Sequence, residues 1–173
     1  MEILMKLHIG GEQEKEGWTI FNTQRKTENN IIGDICDLSQ FENESIDEIY
    51  GSHVLEHVRQ KDVQSVLKGI HRVLKKNGKL YISVPDLDVL CHTMLSSFLT
   101  FEAKMHVMRM IFGGQTDEYD FHYFGWNYAF MKYFTLNAGF TKCDKVNKFG
   151  LFEDTSTYAP YGFPISLNVI VQK

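Results

Sequence analysis

The stretch IDEIYGSHVLEHVRQKDVQSVLKGIHRVLKKNGKLYISV, Ile46 to Val84, carries the pattern that decides the fold. Within it Val63, Val66, Leu67, Ile70, Val73 and Leu74 recur in steps of three and four, which puts them on one stripe of a helix with charge opposite. Asp62 stands at the start of that helix and Lys75-Lys76-Asn77-Gly78 at its end, as the macrodipole and the glycine stop prefer. A short apolar run, Ile46 to Tyr50, precedes the helix and closes at Gly51-Ser52. A second run, Lys79 to Val84, follows it and is stopped by Pro85. Strand, helix and strand in this order make a βαβ unit, with parallel strands and a right-handed crossover. The fold class it implies is α/β, with a doubly wound, mostly parallel sheet.

Upstream, Ile3 to Ile9 reads as a buried strand ended by Gly10-Gly11. Trp18 to Phe21 follows as a second, and Ile31-Ile32 as a brief third that ends at Gly33-Asp34. Downstream, the Met- and Phe-rich span from Leu87 to Phe112 predicts one or two helices, and Gly113 to Phe124 a polar, aromatic loop. Trp126 to Leu136 predicts a helix closed by Asn137-Ala138-Gly139, and Phe140 to Phe149 and Ile165 to Val171 two more strands. No repeat, low-complexity tract or linker divides the chain. Its 173 residues are therefore expected to form one domain with a core of its own.

A net charge of -4 argues against a general nucleic-acid binder, which usually carries a basic face. The basic cluster from Arg72 to Lys79 alternates with apolar helix positions and reads as a solvated helix face. Cys36, Cys91 and Cys143 are odd in number and far apart, so they offer neither a disulfide framework nor a metal knuckle. Each is read as a small buried apolar residue in a reducing compartment. The opening MEILMKLHIGGE lacks the apolar core of a signal peptide, and no segment has the length to span a bilayer. The expectation is a soluble, cytoplasmic protein without a membrane or nucleic-acid partner.

In an open α/β sheet ligands bind beyond the carboxyl ends of the strands. Four such ends stand out: Gly10-Gly11, Asn22, Asp34 and Gly51-Ser52-His53. Glycine lets backbone approach a ligand closely, and an acid after the third strand can accept a hydrogen bond from an exocyclic amine. Together they describe a nucleotide-like site.

The run IIGDICDLSQFENESIDEIYGSHVLEHV, followed by VLKGIHRVLKKNGKLYISVPD, resembles the central motifs of class I S-adenosylmethionine-dependent methyltransferases, which have a Rossmann-like fold. LHIGG fits the first motif of that family loosely. FGGQTDEYDFHYFGW, NAGF, FEDTS and ISLNVIVQK resemble the C-terminal half of a narrower group, short methyltransferases often encoded beside saccharide-biosynthesis enzymes. The resemblance implies S-adenosylmethionine as cofactor and a small-molecule acceptor, a saccharide or saccharide precursor. It implies that Gly10 and Gly11 line the methionine end, that Asp34 faces the adenine amine and that Ile35 offers its amide to the ring. Ser52 and His53 would then sit near the sulfonium. Two places depart from the family pattern. The glycine loop is only Gly10-Gly11 followed by Glu12, Glu14 and Glu16, with too few residues before the second strand for the usual first helix. Asn22 stands where an acid normally grips the ribose hydroxyls. They motivate a second reading, a degenerate, non-catalytic methyltransferase-fold protein that serves as a binding partner.

His53 and His122 are the candidate bases for a hydroxyl acceptor; His122 could instead cap a helix where its loop packs over the sheet end. His53-Val54-Leu55-Glu56-His57 also spells an inverted zinc-protease motif, and some methyltransferases hold a divalent ion with a Glu-His pair of this kind, here Glu56-His57. The family resemblance explains the segment without an ion, so no metal is assigned. His8, His71, His92 and His106 are read as structural or exposed. Met105, Met108 and Met110 with Phe98, Phe101 and Phe112 have three readings, a substrate lid, a homodimer face or ordinary core, and core is the default.

Overall fold

The computed structural model describes residues 4–173, so Ile3, at the head of the first expected strand, lies outside it. The seven strands are β1 (Lys6–Ile9), β2 (Trp18–Asn22), β3 (Ile31–Ile32), β4 (Ile46–Ser52), β5 (Leu74–Pro85), β6 (Lys142–Val146) and β7 (Ser166–Gln172). They form one sheet in the order β3-β2-β1-β4-β5-β7-β6. Neighbours from β3 to β5 are parallel, and β7 runs antiparallel to both β5 and β6. The mostly parallel, doubly wound order expected from Ile46 to Val84 is therefore present.

The helix in that stretch is α1 (Val63–Val73), and its stripe of Val63, Val66, Leu67, Ile70 and Val73 is buried. β5 begins directly at Leu74, earlier than the Lys79 expected. Ile46 pairs with Leu74 and Glu48 with Lys79, so the residues between form a bulge turned by Asn77 at φ 65°. The basic face of α1 is not simply solvated. The Arg72 guanidinium donates to the Leu38 and Phe41 carbonyls, at 2.8 and 2.9 Å, and to Asn43 Oδ1 at 2.8 Å. It thereby pins the loop between β3 and β4.

Side chains alternate across the strands, so the sheet has two unlike faces. Leu7, Ile9, Phe21, Ile49, Leu80, Ile82, Leu167, Val169 and Val171 belong to the main core together with α1. α4 (Tyr128–Asn137), capped by Asn127, adds Met131 to that core. The other face carries His8, Trp18, Tyr50 and Tyr81, against which Phe149 and Phe152 pack. No α-helix occurs among described residues before α1, so the connections β1–β2, β2–β3 and β3–β4 are all loops. The missing first helix was legible from spacing alone.

α2 (Leu87–Met94) and α3 (Phe101–Phe112) form a satellite packed through Leu90, Val107 and Ile165. Here the expectation of core fails: Phe98 is 95% exposed and Phe101 73%, and Met105 and Phe112 are exposed too. The span is rich in apolar residues all round but presents no single stripe, so only Val107 of α3 is fully buried. Cysteine burial is corrected as well. Only Cys143 is buried, while Cys36 and Cys91 are free thiols at the surface, on a loop and on the outer side of α2.

Candidate active site

At the carboxyl ends of β1, β2, β3 and β4 opens a cavity of about 390 Å³. Of the residues expected there, Gly10, Asn22, Asp34, Ile35 and His53 line it. The loop carrying Asp117, Tyr119 and Asp120, with Tyr123 beside it, forms another wall. The helix-free connections build the floor. Gly10 takes φ 72°, and its amide donates to the Phe21 carbonyl at 2.8 Å; a Cβ there would fall 2.4 Å from Val54 Cγ2.

Two expected residues stand elsewhere. Gly11 is absent from the lining and is glycine for another reason, since a Cβ would collide with the buried His8 ring at 2.5 Å. Ser52 follows Tyr50 by two positions, so strand alternation turns it toward the aromatic face. There Tyr50 Oη donates to Asp154 Oδ2 at 2.6 Å. Burial opposes ionisation of Asp154, but hydrogen bonds from Ser156 and Tyr50 hold its carboxyl below the usual range. Tyr50 is pushed up by burial and by that carboxylate. His8, 6% exposed in the same cluster, is lowered by burial to about 4 and is neutral at pH 7.

Asn22 reaches the cavity, but its carboxamide is engaged within the protein. Nδ2 donates to the Gly11 carbonyl at 3.2 Å, and Oδ1 accepts from the Gln24 amide at 3.1 Å. It ties the β1–β2 loop shut. Glu12 also lines the cavity, paired at 2.7 Å with Lys26, which lines it too. The local acid is thus offset by a cation in place of a helix N-terminus. Asp34 is exposed, and its Oδ1 accepts from the Cys36 amide at 2.8 Å in an Asx turn, which fixes the carboxylate at the cavity edge.

His53 sits at φ 53°, just past β4, with both ring nitrogens engaged. Nε2 stands 3.0 Å from Ser166 Oγ and Nδ1 3.3 Å from Glu56 Oε1. His122 does not line the cavity. Its Nδ1 faces the Met110 carbonyl at 3.0 Å, so it caps the end of α3, and burial lowers its pKa. Sequence reasoning singled out the Glu56-His57 pair but not its approach to His122. Glu56, on the 3-10 turn Leu55–His57, is 1% exposed, and His53, His57 and His122 surround its carboxylate. Burial favours the neutral acid, but the histidines outweigh it and hold Glu56 below the usual range. The i, i+3, i+4 spacing of His53, Glu56 and His57 was the signal that could be read, and the distant His122 carried none.

Residues 10–82 match the family model described as "Methyltransferase domain". No curated protein sequence matches the chain significantly. Among solved structures, a SAM-dependent methyltransferase from Archaeoglobus fulgidus is similar at TM-score 0.63 and 13% identity, over 98% of this chain and 86% of that one. One from Thermotoga maritima gives TM-score 0.60 and 16% identity, over 98% and 82%. Phosphoethanolamine N-methyltransferase 2 from Haemonchus contortus, solved in complex with S-adenosyl-L-methionine, gives 0.51 and 16%, over 83% and 34%. The sheet is that of the Rossmann-like class I methyltransferases.

Proposed function

We propose that this chain binds S-adenosylmethionine in the cavity beyond β1–β4 and transfers its methyl group to a small polar acceptor, a saccharide or saccharide precursor. The observation that carries the reading is the convergence of Gly10, Asp34, Ile35 and His53 on one cavity at the strand ends, where such a sheet binds its ligand. The match of residues 10–82 to a methyltransferase domain supports it.

The residues present fit the cofactor. The fixed Asp34 carboxylate leaves Oδ2 to accept from the adenine amine, beside Ile35. Lys26, held by Glu12 at 2.7 Å, is the lysine on the cavity lining that a carboxylate end would have to recruit from that pair. Tyr119 and Tyr123 add aromatic rings to the loop wall, a chemistry that suits a sulfonium, with the Tyr123 ring also facing the Arg59 guanidinium at 5.7 Å. When bound, the cofactor supplies an electrophilic methyl group that leaves sulfur as the acceptor attacks in line. The protein's task is alignment and exclusion of water, because charge disappears as the reaction proceeds. Asp117, Asp120 and the two tyrosines offer a polar acceptor hydrogen bonds from the loop side. His53 lies at the cavity wall, held between Ser166 and Glu56, and is assigned to orient the reacting groups there.

Calorimetric titration with S-adenosylmethionine and with its demethylated product tests this. The expected result is one site with a micromolar dissociation constant. Absence of heat at millimolar ligand would overturn it and favour the second reading, a non-catalytic binding protein. That reading draws on the Asn22 carboxamide, which is consumed by Gly11 and Gln24 rather than offered to a ribose.

A further inference from the structure

Glu56 presents an unusual balance of protons. It is 1% exposed, and neither carboxylate oxygen finds a hydrogen-bond donor of good geometry among the described residues. A buried carboxylate needs a cation or donors, since transfer from water without either costs several kcal/mol. Its neighbours supply lone pairs instead. His57 Nδ1 lies 3.1 Å from the Phe121 carbonyl and His122 Nδ1 lies 3.0 Å from the Met110 carbonyl. A carbonyl can only accept, so both Nδ1 atoms carry protons, and an imidazole in that tautomer has its lone pair on Nε2. Ser166 donates its hydroxyl to the Thr155 carbonyl at 3.0 Å and therefore accepts from His53 Nε2. An uncharged imidazole with its proton on Nε2 would turn its Nδ1 lone pair toward Glu56 Oε1, 3.3 Å away.

Four acceptors thus face one small volume. A ligand atom from each of Glu56, His57 and His122 lies within 4.8 Å of the other two, and the two imidazoles meet at 79° with centroids 4.9 Å apart. A proton on His53 would satisfy one oxygen only. We propose that Glu56, His57 and His122 bind one first-row divalent ion of the zinc type, through a carboxylate and two imidazoles. The backbone carbonyls behind both histidines are the outer partners that metal-ligating imidazoles use to fix their tautomer. Two nitrogens and one oxygen suit zinc or cobalt, not magnesium or calcium, at ligand distances of about 2.0–2.2 Å.

Three protein ligands leave a fourth position open. His53 and His57 both line the cavity, so that position faces the place where an acceptor would stand. There the ion would lower the pKa of a bound hydroxyl, which neither histidine is free to deprotonate. This catalytic use rests on the methyltransferase reading, whereas binding of the ion does not.

The test is a cobalt titration of the full chain after treatment with a chelator, followed by visible absorption. The expected result is saturation at one equivalent, displacement by zinc and indifference to excess magnesium. Glu56→Gln and His122→Asn should each weaken cobalt binding by about 100-fold or more, with His92→Asn, at the surface of α2, unchanged. Melting followed by circular dichroism checks that each variant folds. Cobalt binding that is absent at millimolar concentration, or equal in the wild type and both folded variants, overturns the proposal. Cobalt binding without binding of the demethylated cofactor would refute the reaction and keep the ion; the reverse would do the opposite.

Discussion

The two halves of the sheet are built by different means. From β4 through α1 to β5, regular elements bury a continuous apolar stripe against Ile49, Leu80 and Ile82. From β1 to β3 the strands are short and every connection is a loop, held by individual hydrogen bonds from Asn22, Asp34 and Arg72. Burial is nondirectional and tolerates only the loss of volume it can refill, whereas a loop depends on single partners. The difference teaches where stability and binding reside: the first half carries the fold, and the second carries the cavity.

Removing apolar volume from the regular half gives the largest effect. Leu67→Ala, fully buried on α1, should cost about 3–4 kcal/mol in urea unfolding without changing ligand contacts. A loss below about 1 kcal/mol would erase the distinction between the halves.

The next largest effect follows pH and tests the aromatic face that joins them. His8 is held to about 4 by burial, below its ordinary 6.5, so the unfolded chain binds the extra proton first. Its contribution is complete above pH 6.5 and is lost as pH falls toward 4, up to about 3 kcal/mol. His8→Phe should flatten that part of the stability curve, and a curve identical to the wild type would show that His8 is not the group responsible.

Arg72→Ala probes the bond between the halves. Three hydrogen bonds to the β3–β4 loop disappear, so stability should fall by about 2 kcal/mol. Hydrogen exchange should quicken between residues 34 and 43 more than within α1. Uniform quickening would mean that the loop and helix open as one unit.

The smallest effect is the most local. Asp34→Ala should weaken the demethylated cofactor about tenfold, roughly 1.4 kcal/mol, while leaving the melting temperature within a degree or two. An unchanged affinity would remove Asp34 from the site.

The regular half was legible because a 3.6-residue period between two apolar runs has one economical solution. Only the start of β5 escaped, since a bulge at Asn77 leaves no apolar period to read. In the loop half, the strand ends and the missing helix were visible, but the partners were not. Nothing in the chain says that Asn22 turns back to Gly11, or that Arg72 serves carbonyls some 30 residues earlier. Ser52 was readable and misassigned, because period-two alternation with Tyr50 already placed it on the aromatic face. The approach of His122 to Glu56 across more than 60 residues is tertiary information, and the apolar excess of α3 concealed how little of it is buried.

The most direct test of the claim that the helix-free half is the binding half is amide NMR of the labelled chain titrated with S-adenosylhomocysteine. Saturable shifts should appear at residues 10–12, 22–26, 33–36 and 53–58, with the amides of β6 and β7 unmoved. Shifts confined to other surfaces, or none at millimolar ligand, would contradict it.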